Sequence, residues 1–114
     1  MIIKREEMQQ EFREKMREGN GTVEIVHLVP GGELPHGRLM AEIVIPPGAS
    51  IGEHAHNDET EYYIITAGEG VVKDNGVDMP VKAGEVVVTP DGSSHSIENS
   101  GQSDLKMIAV IITY

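Results

Sequence analysis

From residue 22 onward the apolar positions fall at every second residue, in short runs: TVEIVHLV, GRLMAEIVI, TEYYIITA, GVVK, VDMPVK, EVVVTP, HSIEN and LKMIAVIIT. A period of two puts alternate side chains on opposite faces of an extended chain, so each run predicts a half-buried β-strand. The runs are separated by PGG, PPG, NDE, GEG, DNG, KAG, PDG and SGQS, all turn-forming clusters. Asn75–Gly76 between VVKD and VDMP is a two-residue hairpin signal, because both residues tolerate the positive φ that such turns need. No repeat, linker or low-complexity tract interrupts the series. The pattern predicts an all-β barrel or sandwich.

Residues 4–18 look different. Met8, Phe12 and Met16 recur every four residues among charged residues and Gln, and Gly19 can end a helix in the left-handed conformation. The expectation is one N-terminal helix, with residues 1–21 acting as a lid on a barrel formed by 22–114 or on a partner subunit. The last run is apolar on both faces over residues 108–112. An apolar outer face predicts a cover, most simply a second copy of the chain in a homodimer, with the N-terminal helix as the alternative.

Composition narrows the partners. One hundred and fourteen residues suffice for one modest core. A net charge of −10 with a pI near 4.8 offers no basic field for nucleic acid or an anionic membrane surface. Without cysteine there are no disulfides, thiolate metal sites or cysteine nucleophiles. The N-terminus lacks the apolar core of a secretory signal, so a cytoplasmic location is expected.

The chemistry concentrates in GASIGEHAHNDETEYYIITAG, residues 48–68. His54 and His56 leave the same face if their segment is a strand, Glu61 follows on the next run, and His95 arrives behind GEVVVTPDGSS. Three neutral imidazoles and a carboxylate can fill four positions of a six-coordinate divalent metal and leave two for a ligand.

The spacings extend further. Gly48, His54-x-His56, Glu61 and Gly68 are followed by Gly84, Pro90-x-Gly92, His95 and Asn99, and together these residues resemble both signature motifs of the cupin superfamily. The resemblance implies a double-stranded β-helix, a jelly-roll-like barrel of six to eight strands with a metal in its mouth held by His54, His56, Glu61 and His95. Manganese or iron is the expected metal, with zinc, nickel or cobalt as alternatives. The single-domain pattern is similar to germin-like and oxalate-decarboxylase-like members. It departs from the decarboxylases three residues before the first metal histidine, where their arginine is replaced by Ile51. The expected function is a metal-dependent enzyme acting on a small carboxylate or oxygenated metabolite. The alternative is a non-catalytic module binding a sugar or acid; a sugar-phosphate isomerase is disfavoured by the nine Lys and Arg of the chain.

Several neighbours carry secondary expectations. Tyr63 shares parity with Glu61 and should point inward, within reach of a ligand. Arg38 can reach a bound carboxylate, although its alternation with Glu42 suggests an outward face and a surface ion pair. Glu53, Asp58 and Glu59 flank the site as solvated acids or a proton relay. His27 is expected as a hydrogen-bonded core or interface residue, His36 as exposed, and Asn99 as a structural strand-end residue. Gly68 and Gly84 are expected where a Cβ would clash, and Pro90 and Gly92 where a turn sends His95 inward.

Overall fold

The alternating runs form strands in the computed structural model, which describes residues 1–114. In chain order they are β1 (Gln9–Glu14), β2 (Thr22–His27), β3 (Gly37–Ile45), β4 (Ser50–Ala55), β5 (Glu59–Ala67), β6 (Glu69–Asp74), β7 (Val77–Lys82), β8 (Val86–Thr89), β9 (Ser94–Glu98) and β10 (Leu105–Thr113). They make a six-stranded sheet, β1-β2-β3-β10-β5-β8, and a four-stranded sheet, β4-β9-β6-β7. All pairings are antiparallel. The two inner faces meet in one core that includes Val23, Ile43, Ile51, Tyr63, Ile97 and Met107. Burying these side chains supplies the main driving force, at about 25 cal/mol per Å² of apolar surface removed from water. No helix is long and apolar enough to cross a membrane.

The expected N-terminal helix does not form. Residues 9–14 are strand β1, flanked by single 3-10 turns at Arg5–Glu7 and Met16–Glu18. A repeat of four is ambiguous, because residues four apart share a face on a strand as well as on a helix. Tertiary pairing decides the matter: β1 lies along β2 with Glu11 opposite Ile25 and Arg13 opposite Val23. Gln10 donates to Glu24 at 2.9 Å, and the His27 ring meets Glu11 at 2.9 Å. Met16 packs against the core, whereas Phe12 is 64% exposed.

Turn chemistry fixes the remaining connections. Asn75 (φ 47°) and Gly76 (φ 87°) close the predicted hairpin between β6 and β7. At Gly68 a Cβ would lie 2.5 Å from the Asp104 carbonyl oxygen, so the expected clash is real. Gly84 has open space around it; its φ of 93° is what favours glycine there. Asn99 is buried at the closed end of the barrel, donating to the Ile45 and Ser103 carbonyls and accepting from Gly101 N–H. That is the structural role expected of it.

The outer face of the larger sheet is apolar over β10, β5 and β8, with Glu42 of β3 interrupting it. Val26, Glu42, Ile108, Ile64 and Val86 form one row over five strands, and Tyr62, Val88 and Val110 form the next. Ile64, Val86, Val88 and Ile112 are all exposed. Strand β1 extends the sheet at its edge, so no N-terminal helix covers this face.

Candidate metal centre

His54, His56 and Glu61 of the 48–68 segment come together with His95 at the open end of the barrel. His54 on β4 lies directly opposite His95 on β9. His56 is one residue beyond β4 and is held by its own backbone, its N–H donating to Ser93 O at 3.0 Å and its carbonyl accepting from Gly92 N–H at 2.8 Å. Gly92 (φ 83°) turns the chain between β8 and β9. Glu61 enters from the other sheet, on β5, opposite Thr89 of β8. Three imidazoles from one sheet thus face a carboxylate from the other.

The four reaching atoms converge on one point. His95 Nε2 lies 3.0 Å from both His54 Nε2 and His56 Nε2. Glu61 Oε1 is 2.9 Å from His56 Nε2, 3.0 Å from His95 Nε2 and 3.8 Å from His54 Nε2. Yet Glu61 Oε1 is buried and makes no hydrogen bond, because the imidazoles do not present N–H groups along its lone-pair directions. Each ring is instead engaged through Nδ1: His54 with Gly52 O at 2.8 Å, His56 with Glu59 Oε2 at 2.5 Å, and His95 with Thr89 Oγ1 at 2.7 Å. A neutral imidazole that donates from Nδ1 offers only a lone pair at Nε2.

Three such lone pairs and an orphaned carboxylate oxygen, packed together out of water, repel unless a cation sits among them. The separations suit one. Ligands about 2.1 Å from a shared ion and 90° apart lie about 3.0 Å from each other, whereas a tetrahedral arrangement spaces them nearer ~3.4 Å. The cluster of His54, His56, Glu61 and His95 could therefore hold a divalent metal.

The surroundings favour the ligating form of Glu61 and His95 and pull His56 toward its cation. Burial alone would raise the Glu61 pKa, but the close approach of the His54, His56 and His95 rings outweighs it and holds the carboxyl well below the usual carboxylate range. Burial lowers the pKa of His95, favouring the neutral ring. His56 shifts upward, first through Glu61 and then, against its burial, through Glu59. Glu59 is depressed to about 2, chiefly by its hydrogen bonds to Arg38.

Arg38 departs from its expected surface pairing. Its Nε and Nη2 donate to the two oxygens of Glu59 at 2.6 and 2.8 Å, and Glu42 pairs with Arg5 instead. Arg38 lies at the start of β3, next to a register shift opposite Ile111 and Ile112 of β10, where simple alternation no longer fixes side-chain direction. Tyr63 points inward as expected, stacked on His95 with centroids 4.9 Å apart and its hydroxyl 3.5 Å from Nε2. Burial pushes that hydroxyl well above its ordinary pKa, as does Glu61, while Arg17 pulls it down.

Glu53, Asp58 and His36 are exposed, and His27 is a half-buried partner of Glu11 at the mouth. Sequence reasoning missed the role of Thr89, fully buried behind His95, and grouped Glu59 with two solvated acids although it is only 8% exposed. It also missed Arg17. A cavity of about 80 Å³ opens onto the cluster, and its wall includes Arg13, Arg17, Arg38, His27, Met16 and Tyr63.

A β-sandwich barrel with this motif spacing is that of the cupins, and the chain belongs to that family: the model described as Cupin domain matches residues 41–111. Among relatives, it is 48% identical over 114 residues to the "Oxalate-binding protein" of Thermotoga maritima, covering 98% of this chain and 93% of that one. It superposes on the crystal structure of a predicted oxalate decarboxylase from Thermotoga maritima with a TM-score of 0.93 at 46% identity, covering both chains in full. The cupin domain of Schizosaccharomyces pombe Cnp3 has the same fold (TM-score 0.75, 18% identity, 91% of this chain and 69% of that one).

Proposed function

We propose that His54, His56, Glu61 and His95 hold one divalent metal and that the protein binds a small dicarboxylate of the oxalate type against it. The observation that carries this reading is the convergence of three imidazole Nε2 atoms and the orphaned Glu61 oxygen at separations of 2.9–3.0 Å, with Glu61 to His54 at 3.8 Å. Mixed imidazole and carboxylate donors with positions left open suit manganese or iron. Bound there, the metal would supply Lewis-acid polarisation and open positions for ligand oxygens. The protein's own residues supply the rest. Arg17 on the cavity wall, with no carboxylate partner of its own, gives local attraction for an anion in an acidic chain. The small cavity admits a ligand of few atoms. The Thermotoga maritima relative, named for oxalate binding, points to the same chemistry.

A catalytic reading, decarboxylation or oxidation of such an acid, is the second one. Conversion of oxalate to CO2 and formate consumes one proton, which an acid in the cavity must deliver. Here the carboxylates are already engaged: Glu61 with the imidazoles, Glu59 with Arg38 and His56, and Glu11 with His27 and Arg13. That engagement favours binding over turnover. We further propose that residues 1–21 serve as a lid and that the apolar outer sheet face joins two copies in a homodimer working in the cytoplasm.

Titrating manganese-loaded protein with oxalate tests the main reading, which predicts saturable one-to-one binding that is lost with the metal. Following CO2, formate and peroxide, with and without O2, separates binding from turnover.

A further inference from the structure

The cavity wall carries three guanidinium groups, and two of them are already committed. Arg38 is clamped to Glu59 by two hydrogen bonds, and Arg13 is paired with Glu11. The third, Arg17, has no ion-pair or hydrogen-bond partner for its side chain, although it lines the same cavity as His54, His56, Glu61 and Tyr63. No cation comes from β4 itself, because Ile51, three residues before His54, is fully buried in the core.

The backbone around Arg17 is built at a cost. Lys15 (φ 51°), Arg17 (φ 53°) and Glu18 (φ 65°) all occupy the left-handed region, which a side chain bearing a Cβ disfavours. Such a turn persists only when its surroundings over-determine it. They do here. The Arg17 carbonyl presses on Gly52 so closely that a Cβ there would lie 2.0 Å from it, and a Cβ on Gly19 would lie 2.4 Å from Ser50 O. Ser50 N–H donates to Asn20 O at 2.9 Å, and Asn20 N–H donates to Ser50 Oγ at 2.8 Å. Gly52 also offers its carbonyl to the His54 ring. The turn that carries Arg17 is therefore bolted to the strand, and to the very residue, that orients His54.

We infer that Arg17 is the anion-recognition residue of the site, its exposed, unpaired side chain on the wall of the cavity that opens onto the His/Glu cluster pairing with the carboxylate of a metal-held dicarboxylate that points away from the metal. The assignment rests on the dicarboxylate reading given above and names the residue that selects a dianion over a monoanion. A guanidinium matches a carboxylate with parallel N–H donors, which a single-point cation does less well.

The test uses the full chain loaded with manganese, titrated calorimetrically with oxalate, malonate and acetate, with metal content measured after each titration. Arg17→Gln should keep the metal and the thermal transition, weaken oxalate and malonate roughly ten- to a hundredfold, and leave acetate nearly unchanged. Arg17→Lys should recover part of the loss. If Arg17→Gln retains the metal and binds both dicarboxylates as the unmodified protein does, the assignment to Arg17 is overturned while the dicarboxylate reading stands. If the unmodified loaded protein binds neither dicarboxylate, both fall together. Loss of the metal or the fold in Arg17→Gln and Arg17→Lys alike would make the role structural and would also overturn it.

Discussion

His56 and Glu59, three residues apart, are joined through Nδ1 and Oε2 at 2.5 Å, and Arg38 donates to both oxygens of Glu59. The chain Arg38–Glu59–His56 fixes the tautomer of one ring in the cluster from outside it. A carboxylate behind a metal-bound histidine both aims the ring and raises its basicity. Glu59→Gln keeps the shape and removes the charge, so it should weaken metal binding about ten- to a hundredfold. Competition with a chelator of known affinity measures this; unchanged affinity would reduce Glu59 to a packing residue.

Strand β1 gives a separate, pH-dependent expectation. Glu11 is held below its ordinary value of 4.5, first by its contact with His27 and then by Arg13. A carboxyl with a lowered folded-state pKa stabilises fully above its unfolded value and loses that contribution as pH falls through the lowered one. The protection of β1 amides against hydrogen exchange should therefore drop as pH falls below 4.5. Glu11→Gln should show low protection throughout and no such step. Protection in β1 that is flat with pH in the unmodified protein would rule this out.

The strands, hairpin and site segment were legible because alternation and turn chemistry are local, and because gapped histidine spacing survives without coordinates. The N-terminal helix was misread for a physical reason: Met8, Phe12 and Met16 satisfy both periods, and only the partner strand β2 breaks the tie. The direction of Arg38 escapes alternation because it is itself the extra, unpaired residue where β3 shifts register against β10. Thr89 was beyond reach because its role depends on meeting His95 from the other sheet, and only the contacts of Glu59 with His56 and Arg38 separate it from Glu53 and Asp58. Arg17 depends on backbone conformation, which a run such as KMREG does not declare.

The apolar row through Ile108, Ile64 and Val86 bears on assembly. Two such faces related by a two-fold axis would bury each other, and a charge at their centre would oppose itself. The unmodified protein should sediment at twice the 12.4 kDa chain mass. Ile64→Asp should sediment as a monomer and keep its metal, since the side chain lies on the face opposite the site. A monomeric unmodified protein would contradict the homodimer.

Elemental analysis of protein purified from metal-replete cells, alongside His95→Ala, decides whether the cluster holds a metal. About one divalent transition metal per chain, manganese or iron, should be found in the unmodified protein and lost in the variant. An unmodified protein that folds and stays empty, or a variant that keeps its metal, would contradict a metal held by this cluster.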